Sequence, residues 1–127
     1  MKRKEIKTAK APLPVGPYSQ AVAVNGFFFI SGQIGIDPET GKLKDGIENQ
    51  TEQILKNIEE ILKEAGITKE KIVKTTIFLK NIKDFQKVNA IYKKFFEGSA
   101  VFPARSTVEV SNLPLNAEIE IECVAVL

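Results

Sequence analysis

Residues 117–127 form an alternating stretch, Ala117-Glu118-Ile119-Glu120-Ile121-Glu122-Cys123-Val124-Ala125-Val126-Leu127. One set of alternate positions is apolar throughout: Ile119, Ile121, Cys123, Ala125 and Leu127. The other set begins with three glutamates and becomes apolar at Val124 and Val126. A period of two places the two sets on opposite faces of a β-strand. We therefore predict a strand here, with one face in the hydrophobic core.

Local patterns identify four of the five strands that precede this one. Ala21–Val24 and Phe27–Ser31 flank Asn25-Gly26, the strongest short-range signal for a β-hairpin. Residues 71–79 are rich in Val, Thr, Ile and Phe, and residues 105–110 form a similar segment. Residues 37–41, Asp-Pro-Glu-Thr-Gly, have the composition of a turn.

Two amphipathic helices are predicted. From Ile47 to Ala65 the apolar residues recur at helical spacing, and Gly66 provides a stop signal. The second helix extends from Asp84, as its N-cap, towards Gly98. The element order is β-β-β-α-β-α-β-β, an α+β arrangement.

The apolar residues exceed what two helices can cover. Both alternating faces of Phe27-Phe28-Phe29-Ile30 are apolar, yet two helices cover only one face of a sheet. For a chain of 127 residues, another subunit is the simplest cover for the second face. We therefore expect a homo-oligomer.

Composition excludes several classes of function. The chain is long enough for a single domain, residues 1–127, and its 18 basic and 16 acidic residues give a net charge of only +2. This balance argues against nucleic-acid binding. No histidine is present, so Ser-His and Cys-His nucleophiles and zinc hydrolase sites are excluded. No Walker or GxGxxG loop provides a cradle for nucleotide phosphates.

The single cysteine and the hydropathy bear on location. Cys123 excludes an intrachain disulfide and a CxxC metal site, and its position among apolar residues predicts an unreactive core residue. No apolar run approaches the roughly 20 residues that a membrane span needs. We expect a cytoplasmic protein.

Arg105 and Glu120 are the candidate catalytic pair. Arg105 follows Pro103 at the start of a strand, and a guanidinium can bind a carboxylate through two parallel hydrogen bonds. The alternatives are a surface arginine at a strand end and a glutamate on the polar face of a half-exposed strand. If the last two strands formed a simple hairpin across residues 111–114, Arg105 and Glu120 would lie directly opposite each other.

Three further positions are candidates. The proline-rich segment 12–20 indicates an ordered loop that delivers Tyr18 and Ser19 to a fixed place. Ser31-Gly32-Gln33-Ile34-Gly35 could bring backbone N–H groups close to an anion, although a simple turn explains it too. Asn89 lies on the apolar stripe of the second helix, as either a core amide or a ligand contact.

Four motifs together resemble the RidA/YjgF family of imine deaminases. They are Gly16-Pro17-Tyr18-Ser19-Gln20-Ala21, Ser31-Gly32-Gln33, Phe102-Pro103-Ala104-Arg105-Ser106 and Ile119-Glu120-Ile121. The resemblance covers nearly the whole chain. It implies a chorismate-mutase-like mixed sheet with two helices on one face, assembled as a homotrimer with active sites between subunits. It also implies a strand between the last two, which places the backbones of Arg105 and Glu120 about 10 Å apart, with room for a small substrate between them.

The resemblance also implies a reaction. The family hydrolyses 2-imino acids such as 2-iminobutanoate and 2-iminopropanoate, which pyridoxal-phosphate dehydratases release from threonine and serine, to 2-keto acids and ammonia. Arg105 would bind the substrate carboxylate and Glu120 would activate water, without a metal or cofactor. The family positions that line the pocket correspond to Tyr18, Ser31, Gly32, Asn89 and Thr107. Many relatives have cysteine where this chain has Thr107. This departure argues against a catalytic thiol, whereas a backbone contact by residue 107 would be retained.

Two alternatives remain open. The chain could be a trimer that binds small carboxylates without turnover, for which Arg105 alone suffices. It could also be an endoribonuclease or translation inhibitor, since some members of the family carry that label, although the near-neutral charge and the lack of an RNA-binding motif count against it.

Overall fold

The alternating C-terminal stretch lies inside a six-stranded sheet. The computed structural model describes residues 1–127. Its strands are β1 (Lys4–Ile6), β2 (Ala21–Val24), β3 (Phe27–Gln33), β4 (Ile36–Asp37), β5 (Lys42–Leu43), β6 (Ile72–Leu79), β7 (Ala104–Glu109) and β8 (Ile119–Val126). Its helices are α1 (Ile47–Glu64) and α2 (Phe85–Phe95), and short 3₁₀ turns cover Lys69–Lys71, Ile82–Asp84 and Pro114–Asn116.

The sheet is mixed and places β8 in its interior. The strand order is β1-β2-β3-β8-β6-β7, and every neighbouring pair is antiparallel except β6 and β7, which are parallel. The six strands and two helices follow the predicted order β-β-β-α-β-α-β-β, which confirms the fold class. The predicted turn at residues 37–41 joins β4 to β5, a separate two-stranded sheet that the sequence patterns did not predict.

Local signals placed most element ends correctly. The β2–β3 hairpin pairs Val24 with Phe27 around a two-residue turn, and both turn residues have positive φ, 51° at Asn25 and 80° at Gly26. Glycine adopts this conformation at little cost, which is why Asn-Gly is favoured there. Helix α1 ends at Glu64, one residue before the predicted end. Neither helix combines the length and apolarity that crossing a membrane requires.

Asp84 occupies the predicted N-cap position of α2, but its side chain makes no capping hydrogen bond. The backbone of Asp84 is already helical, with φ −80° and ψ −1°, because it ends the 3₁₀ turn that leads into α2. The capping side chain is Asn81, whose Oδ1 accepts a hydrogen bond from the backbone N–H of Lys83 at 3.0 Å. The chain therefore begins its helical path three residues earlier than the apolar pattern indicates.

Both helices cover the same face of the sheet. The core contains these fully buried residues from the sheet: Phe28, Ile77, Leu79, Ile119, Ile121 and Ala125. They pack against Ile54, Ile58, Ile61 and Leu62 of α1 and Val88 of α2. The opposite face has no covering element within the chain, and Phe27 and Phe29 are 48% and 45% exposed there. The predicted two-sided apolar character of this strand is confirmed.

Buried amides join α1 to the parts of the chain around it. Gln50 Oε1 accepts a hydrogen bond from the Glu118 N–H at 2.9 Å, and its Nε2 donates to the Lys44 carbonyl at 3.0 Å. Asn57 Nδ2 donates to the Ile36 carbonyl at 2.9 Å. These bonds satisfy polar groups that would otherwise be costly to bury, and they set the start of β8 relative to the helix.

Gly35 allows the small β4–β5 sheet to approach α1 closely. A Cβ atom at this position would lie 2.7 Å from the Cα of Gln50 and 2.8 Å from its carbonyl oxygen. These are backbone atoms of a helix, so they cannot move aside without shifting α1. We predict that Gly35→Ala lowers the free energy of unfolding by about 1–3 kcal/mol, the usual cost of overpacking, measured by urea denaturation.

Gly32→Ala is the matched control for this prediction. A Cβ atom at position 32 meets only the end of the Glu120 side chain, which can rotate away. We expect a clearly smaller loss of stability from this variant. Equal losses from the two substitutions would contradict the close approach of Gly35 to α1.

Candidate functional site

Strand β6 separates the two candidate catalytic residues. It pairs in parallel with β7, where Thr75 lies beside Arg105, and antiparallel with β8, where Phe78 lies beside Glu120. Residues 105–120 do not form the simple hairpin that the sequence analysis considered, because β7 and β8 are not neighbours. The two strands are separated by two strand spacings, about 10 Å, as the family resemblance implied.

Arg105 and Glu120 lie on opposite faces of the sheet. Arg105 is in register with Thr75 and Cys123, which are buried beneath the helices. Glu120 alternates with Ile119 and Ile121, so its side chain projects to the uncovered face. The expectation that one substrate fits between this pair across the gap in the sheet is therefore wrong for a single chain, because the sheet itself lies between the two side chains.

Arg105 lines a cleft of about 410 Å³ on the helix side, which we call the Arg105 cleft. Its lining residues are Asn89, Tyr92, Lys93, Phe102, Pro103 and Arg105. The guanidinium carbon lies 4.9 Å from the ring centroid of Tyr92 and 5.3 Å from that of Phe85. The chain's ion pairs are Lys44–Asp37 and Lys63–Glu60, so Arg105 has no carboxylate partner. Its N–H donors are available to bind an anion.

Two other predicted site residues share this side of the sheet. Asn89 is half-buried and lines the Arg105 cleft, which favours the ligand-contact interpretation over a core amide. Thr107 follows Arg105 by two positions on the same face of β7, and its hydroxyl oxygen is buried without a hydrogen-bond partner. The side chain of Thr107 does not line the cleft.

Glu120 lines a different cleft, of about 270 Å³, which we call the Glu120 cleft. Tyr18 and Gly32 also line it, and its remaining walls are largely apolar: Pro12, Leu13, Val15, Ile34, Ile36, Pro114 and Leu115, with Gln20 and Gln33. The Glu120 carboxyl group packs directly against Gly32, where a Cβ atom would lie 2.7 Å from Glu120 Cδ. Burial raises the pKa of the Glu120 carboxyl, and the Glu122 carboxylate raises it further.

The loop that carries Tyr18 is held by a buried glutamine that sequence reasoning missed. Gln20 is 1% exposed, its Oε1 accepts from the Thr8 N–H at 2.9 Å, and its Nε2 donates to the Pro12 carbonyl at 2.8 Å. The sequence contained one signal of this role, since Gln20 is a polar residue at the boundary between a proline-rich loop and an apolar strand. The loop is therefore ordered, as predicted, and Tyr18 is placed at the Glu120 cleft.

Ser31 has a structural task beside this cleft. Its hydroxyl donates a hydrogen bond to the Ser19 carbonyl at 2.6 Å, and its N–H donates to the Gln20 carbonyl at 3.1 Å. The β3–β8 register shifts between Ile30 and Gln33, so residues 31 and 32 form an irregularity in the ladder. Ser31 thus braces the Tyr18 loop, and its side chain does not line the Glu120 cleft.

Cys123 takes no part in either cleft. It is 3% exposed, and burial, with a smaller contribution from Glu122, raises the pKa of its thiol to about 12. A thiol with such a pKa forms almost no thiolate at neutral pH, so the prediction of an unreactive core cysteine is confirmed. The chain contains no cluster of three or more Cys, Asp or Glu residues that could hold a metal ion.

The chain is similar to proteins with described folds and activities. A family model described as endoribonuclease L-PSP matches residues 8–127. The human 2-iminobutanoate/2-iminopropanoate deaminase is 50% identical over 125 residues, which cover 98% of this chain and 90% of that protein.

Solved structures extend the similarity to the fold. YyfA of the Rid protein family, from Yersinia pestis, superposes with a TM-score of 0.97 at 54% identity and covers 99% of this chain and 100% of that one. Escherichia coli TdcF, solved with bound serine, superposes with a TM-score of 0.94 at 38% identity and covers 98% of both chains.

The electrostatic setting of Glu120 is directly testable. Glu122 lies two positions along the same face of β8, so removing its charge removes one of the two causes of the raised pKa. We predict that Glu122→Gln lowers the pKa of Glu120, measured by NMR titration of the carboxyl carbon, and that added salt reduces the difference between the two proteins.

Glu118→Gln is the matched control for this titration. Glu118 is two positions before Glu120, but its side chain lines a separate cleft with Lys80 and Asp84. We expect this variant to change the pKa of Glu120 less than Glu122→Gln does. An unchanged pKa in Glu122→Gln would contradict the electrostatic coupling on this face.

Proposed function

This chain belongs to the RidA/YjgF family, and from that premise we propose that it hydrolyses 2-imino acids to 2-keto acids and ammonia. The proposed substrates are 2-iminobutanoate and 2-iminopropanoate, which form when pyridoxal-phosphate dehydratases act on threonine and serine. The observation that carries the proposal is a guanidinium without a carboxylate partner and a carboxyl of raised pKa at two family motif positions, in a chain 50% identical to a protein named for this activity.

Arg105 binds the substrate carboxylate in the proposed mechanism. Its guanidinium has no competing ion pair in the chain and lies over the rings of Phe85 and Tyr92, so its N–H groups remain available to the substrate. Two parallel hydrogen bonds then fix the orientation of the imine carbon. The serine bound to the TdcF relative supports this, because a serine ligand also has a carboxylate next to a carbon that bears nitrogen.

Glu120 acts as the general base and then as the acid. Its carboxylate takes a proton from water while the water oxygen bonds to the imine carbon, and the C=N bond becomes a C–N single bond. The resulting Glu120 carboxylic acid returns the proton to nitrogen, which gives a neutral carbinolamine. Glu120 then takes the hydroxyl proton as the C=O bond forms, and passes it to the amino nitrogen as the C–N bond breaks, so that nitrogen leaves as ammonia. A pKa raised towards the working pH suits both directions of transfer. The substrate is already an electrophile, so the reaction requires no metal or cofactor.

Assembly brings the two clefts together. One chain has its Arg105 cleft and its Glu120 cleft on opposite faces of the sheet, so each cleft serves a different pocket. Two different surface patches that meet head to tail close into a cyclic ring. We assign each pocket the Arg105 cleft of one subunit, with Asn89 and a backbone contact from Thr107. The next subunit provides the Glu120 cleft, with Tyr18 and Gly32, and Ser31 braces the Tyr18 loop there. A homotrimer also covers the apolar face that Phe27 and Phe29 expose.

The cellular setting follows from the chemistry of the substrate. Enamines and imines hydrolyse within a short time in water, so the enzyme acts in the compartment where the dehydratases release them. We place the protein in the cytoplasm, with residues 1–127 acting as one domain. No contact with a membrane is part of the proposal.

A ribonuclease activity is the second candidate, because the matching family model is described as endoribonuclease L-PSP. The net charge of +2 provides little attraction to RNA. A salt-sensitive retention of single-stranded RNA, together with RNA cleavage that is lost in Glu120→Gln, would favour this candidate over the deaminase.

A coupled assay tests the deaminase. Threonine dehydratase generates the imine, and release of 2-ketobutanoate is followed with and without this protein. We expect faster release of 2-ketobutanoate with the wild-type protein. Glu120→Gln should lower kcat by about a hundredfold or more, because the general base is lost. Arg105→Ala should raise KM by about ten- to a hundredfold, because the carboxylate loses its hydrogen bonds. If the wild-type protein binds 2-ketobutanoate without accelerating its release, the binding trimer replaces the enzyme.

Mixing the two impaired variants tests the shared pocket, when activity is measured at a substrate concentration far below the KM of Arg105→Ala. Arg105→Ala and Glu120→Gln subunits are co-expressed in equal amounts, so that random trimers form. Every mixed trimer then contains one pocket with both residues intact, and we expect about a quarter of the wild-type activity to return. If both residues acted from the same chain, every pocket would lack one of them and no activity would return.

A further inference from the structure

Three residues of α2 face Arg105 along one line. Phe85, Asn89 and Tyr92 are spaced i, i+4 and i+7, so they lie on the same helix face. The two aromatic residues are two turns apart, about 10 Å along the helix axis. The guanidinium carbon is 5.3 Å from one ring centroid and 4.9 Å from the other, so it is held between them.

Only the Tyr92 ring is anchored to the sheet. Its hydroxyl is 2.7 Å from Thr75 Oγ1, and the side chain is buried, with 4% of its surface exposed. Thr75 is the residue of β6 that lies beside Arg105 in the β6–β7 register. Arg105, Thr75 and Tyr92 therefore contact one another in turn. Arg105 pairs with Thr75 in the β6–β7 register, Thr75 and Tyr92 share a hydrogen bond, and the Arg105 guanidinium makes a cation–π contact with the Tyr92 ring.

We propose that Tyr92 is a positioning residue that, with Phe85, holds the Arg105 guanidinium ready to bind a carboxylate, while the Thr75 hydroxyl fixes the orientation of the Tyr92 ring. The proposal rests on the proposed function, in which Arg105 binds the substrate carboxylate. The guanidinium lies over the two rings, and neither contact gives its N–H groups a carboxylate or carbonyl acceptor, so these donors can still bind a carboxylate.

The physical benefit is pre-organisation. An arginine side chain loses considerable rotamer freedom when it is fixed, and that loss would otherwise accompany each binding event. An acidic partner would also order Arg105, but it would compete with the substrate for the same N–H groups. Aromatic rings order the cation without neutralising it, which is why they suit a residue that must exchange anions.

Calorimetric binding of 2-ketobutanoate is the main test, because it does not depend on turnover. We expect Tyr92→Leu, which lacks the ring, to bind this keto acid about tenfold more weakly, within the range of a cation–π contact. Tyr92→Phe retains the ring and loses only the bond to Thr75, so a smaller weakening of about two- to threefold is expected, and Thr75→Val should behave in the same way.

Steady-state kinetics separate positioning from a general structural defect. We expect Tyr92→Leu to raise KM about tenfold and to leave kcat within about twofold, since the general base lies in the other cleft. Phe95→Leu is the matched control: Phe95 is another aromatic residue of α2, but its ring lies under Lys69, with the Nζ atom 4.8 Å from the centroid. Its KM should equal that of the wild type.

Either of two results for Tyr92→Leu would overturn the proposal. Wild-type affinity for 2-ketobutanoate in Tyr92→Leu would do so, as would a kcat that falls while KM stays constant. If Tyr92→Leu does not fold, Thr75→Val must show the weakened binding, and unchanged binding there overturns the proposal. If the wild-type protein binds 2-ketobutanoate without turnover, the proposed deaminase activity is wrong and the positioning role of Tyr92 still stands. If it does not bind 2-ketobutanoate, the deaminase activity and the positioning role are both wrong.

Discussion

Burial of one face of the sheet beneath two helices is the constraint on which the rest of the structure depends. The odd-numbered residues of β8 pack against α1, with Ile119 and Ile121 fully buried. Because side chains alternate along a strand, that packing sends Glu120 to the uncovered face. Arg105 lies on the helix side because β6 and β7 pair it with Thr75. A register slip of one residue would exchange the faces, so the hydrophobic core determines where both functional groups lie.

Each cleft contains a charged or titratable group that the chain does not neutralise. Arg105 is held by aromatic rings, and Glu120 packs against Gly32 in a largely apolar cleft. An unpaired charge in a half-buried place destabilises the folded chain, and the extensive core offsets that cost. Such an arrangement is typical of functional sites, where a group must remain available to a ligand. The pKa of Glu120 is raised because burial disfavours the charged carboxylate and the nearby Glu122 carboxylate repels it.

The lack of histidine constrains the chemistry. Proton transfer near neutral pH is usually carried out by imidazole. In the proposed function the Glu120 carboxyl takes that role, and burial and the nearby Glu122 raise its pKa. A carboxyl group alone is a modest catalyst, which suits a substrate that is already electrophilic. In the proposed function the protein therefore supplies orientation and one proton acceptor, and the imine supplies the reactivity.

Several parts of the fold and of the site could be predicted from local patterns. The period of two in residues 117–127, the Asn-Gly turn and the helical spacing of α1 and α2 are set by neighbouring residues, and these predictions were confirmed. The N-cap position of α2 at Asp84 was predicted correctly, whereas the 3₁₀ turn before it, which Asn81 caps, has no apolar pattern and was not predicted. Arg105, Glu120 and Asn89 were found as candidates by residue type and family motif, whereas no motif indicated Tyr92.

The sequence by itself thus determined the helices, the main strands and the residue types available for chemistry. Only the tertiary structure decided that β6 separates β7 from β8, that Arg105 and Glu120 occupy opposite faces, and that Gln20, Gly32, Phe85 and Tyr92 shape the two clefts. The physical reason is the separation along the chain between the residues that interact. Secondary structure follows from interactions within a few residues, whereas strand order and ring stacking depend on contacts between segments far apart in the chain, and these are settled by which arrangement buries the most apolar surface.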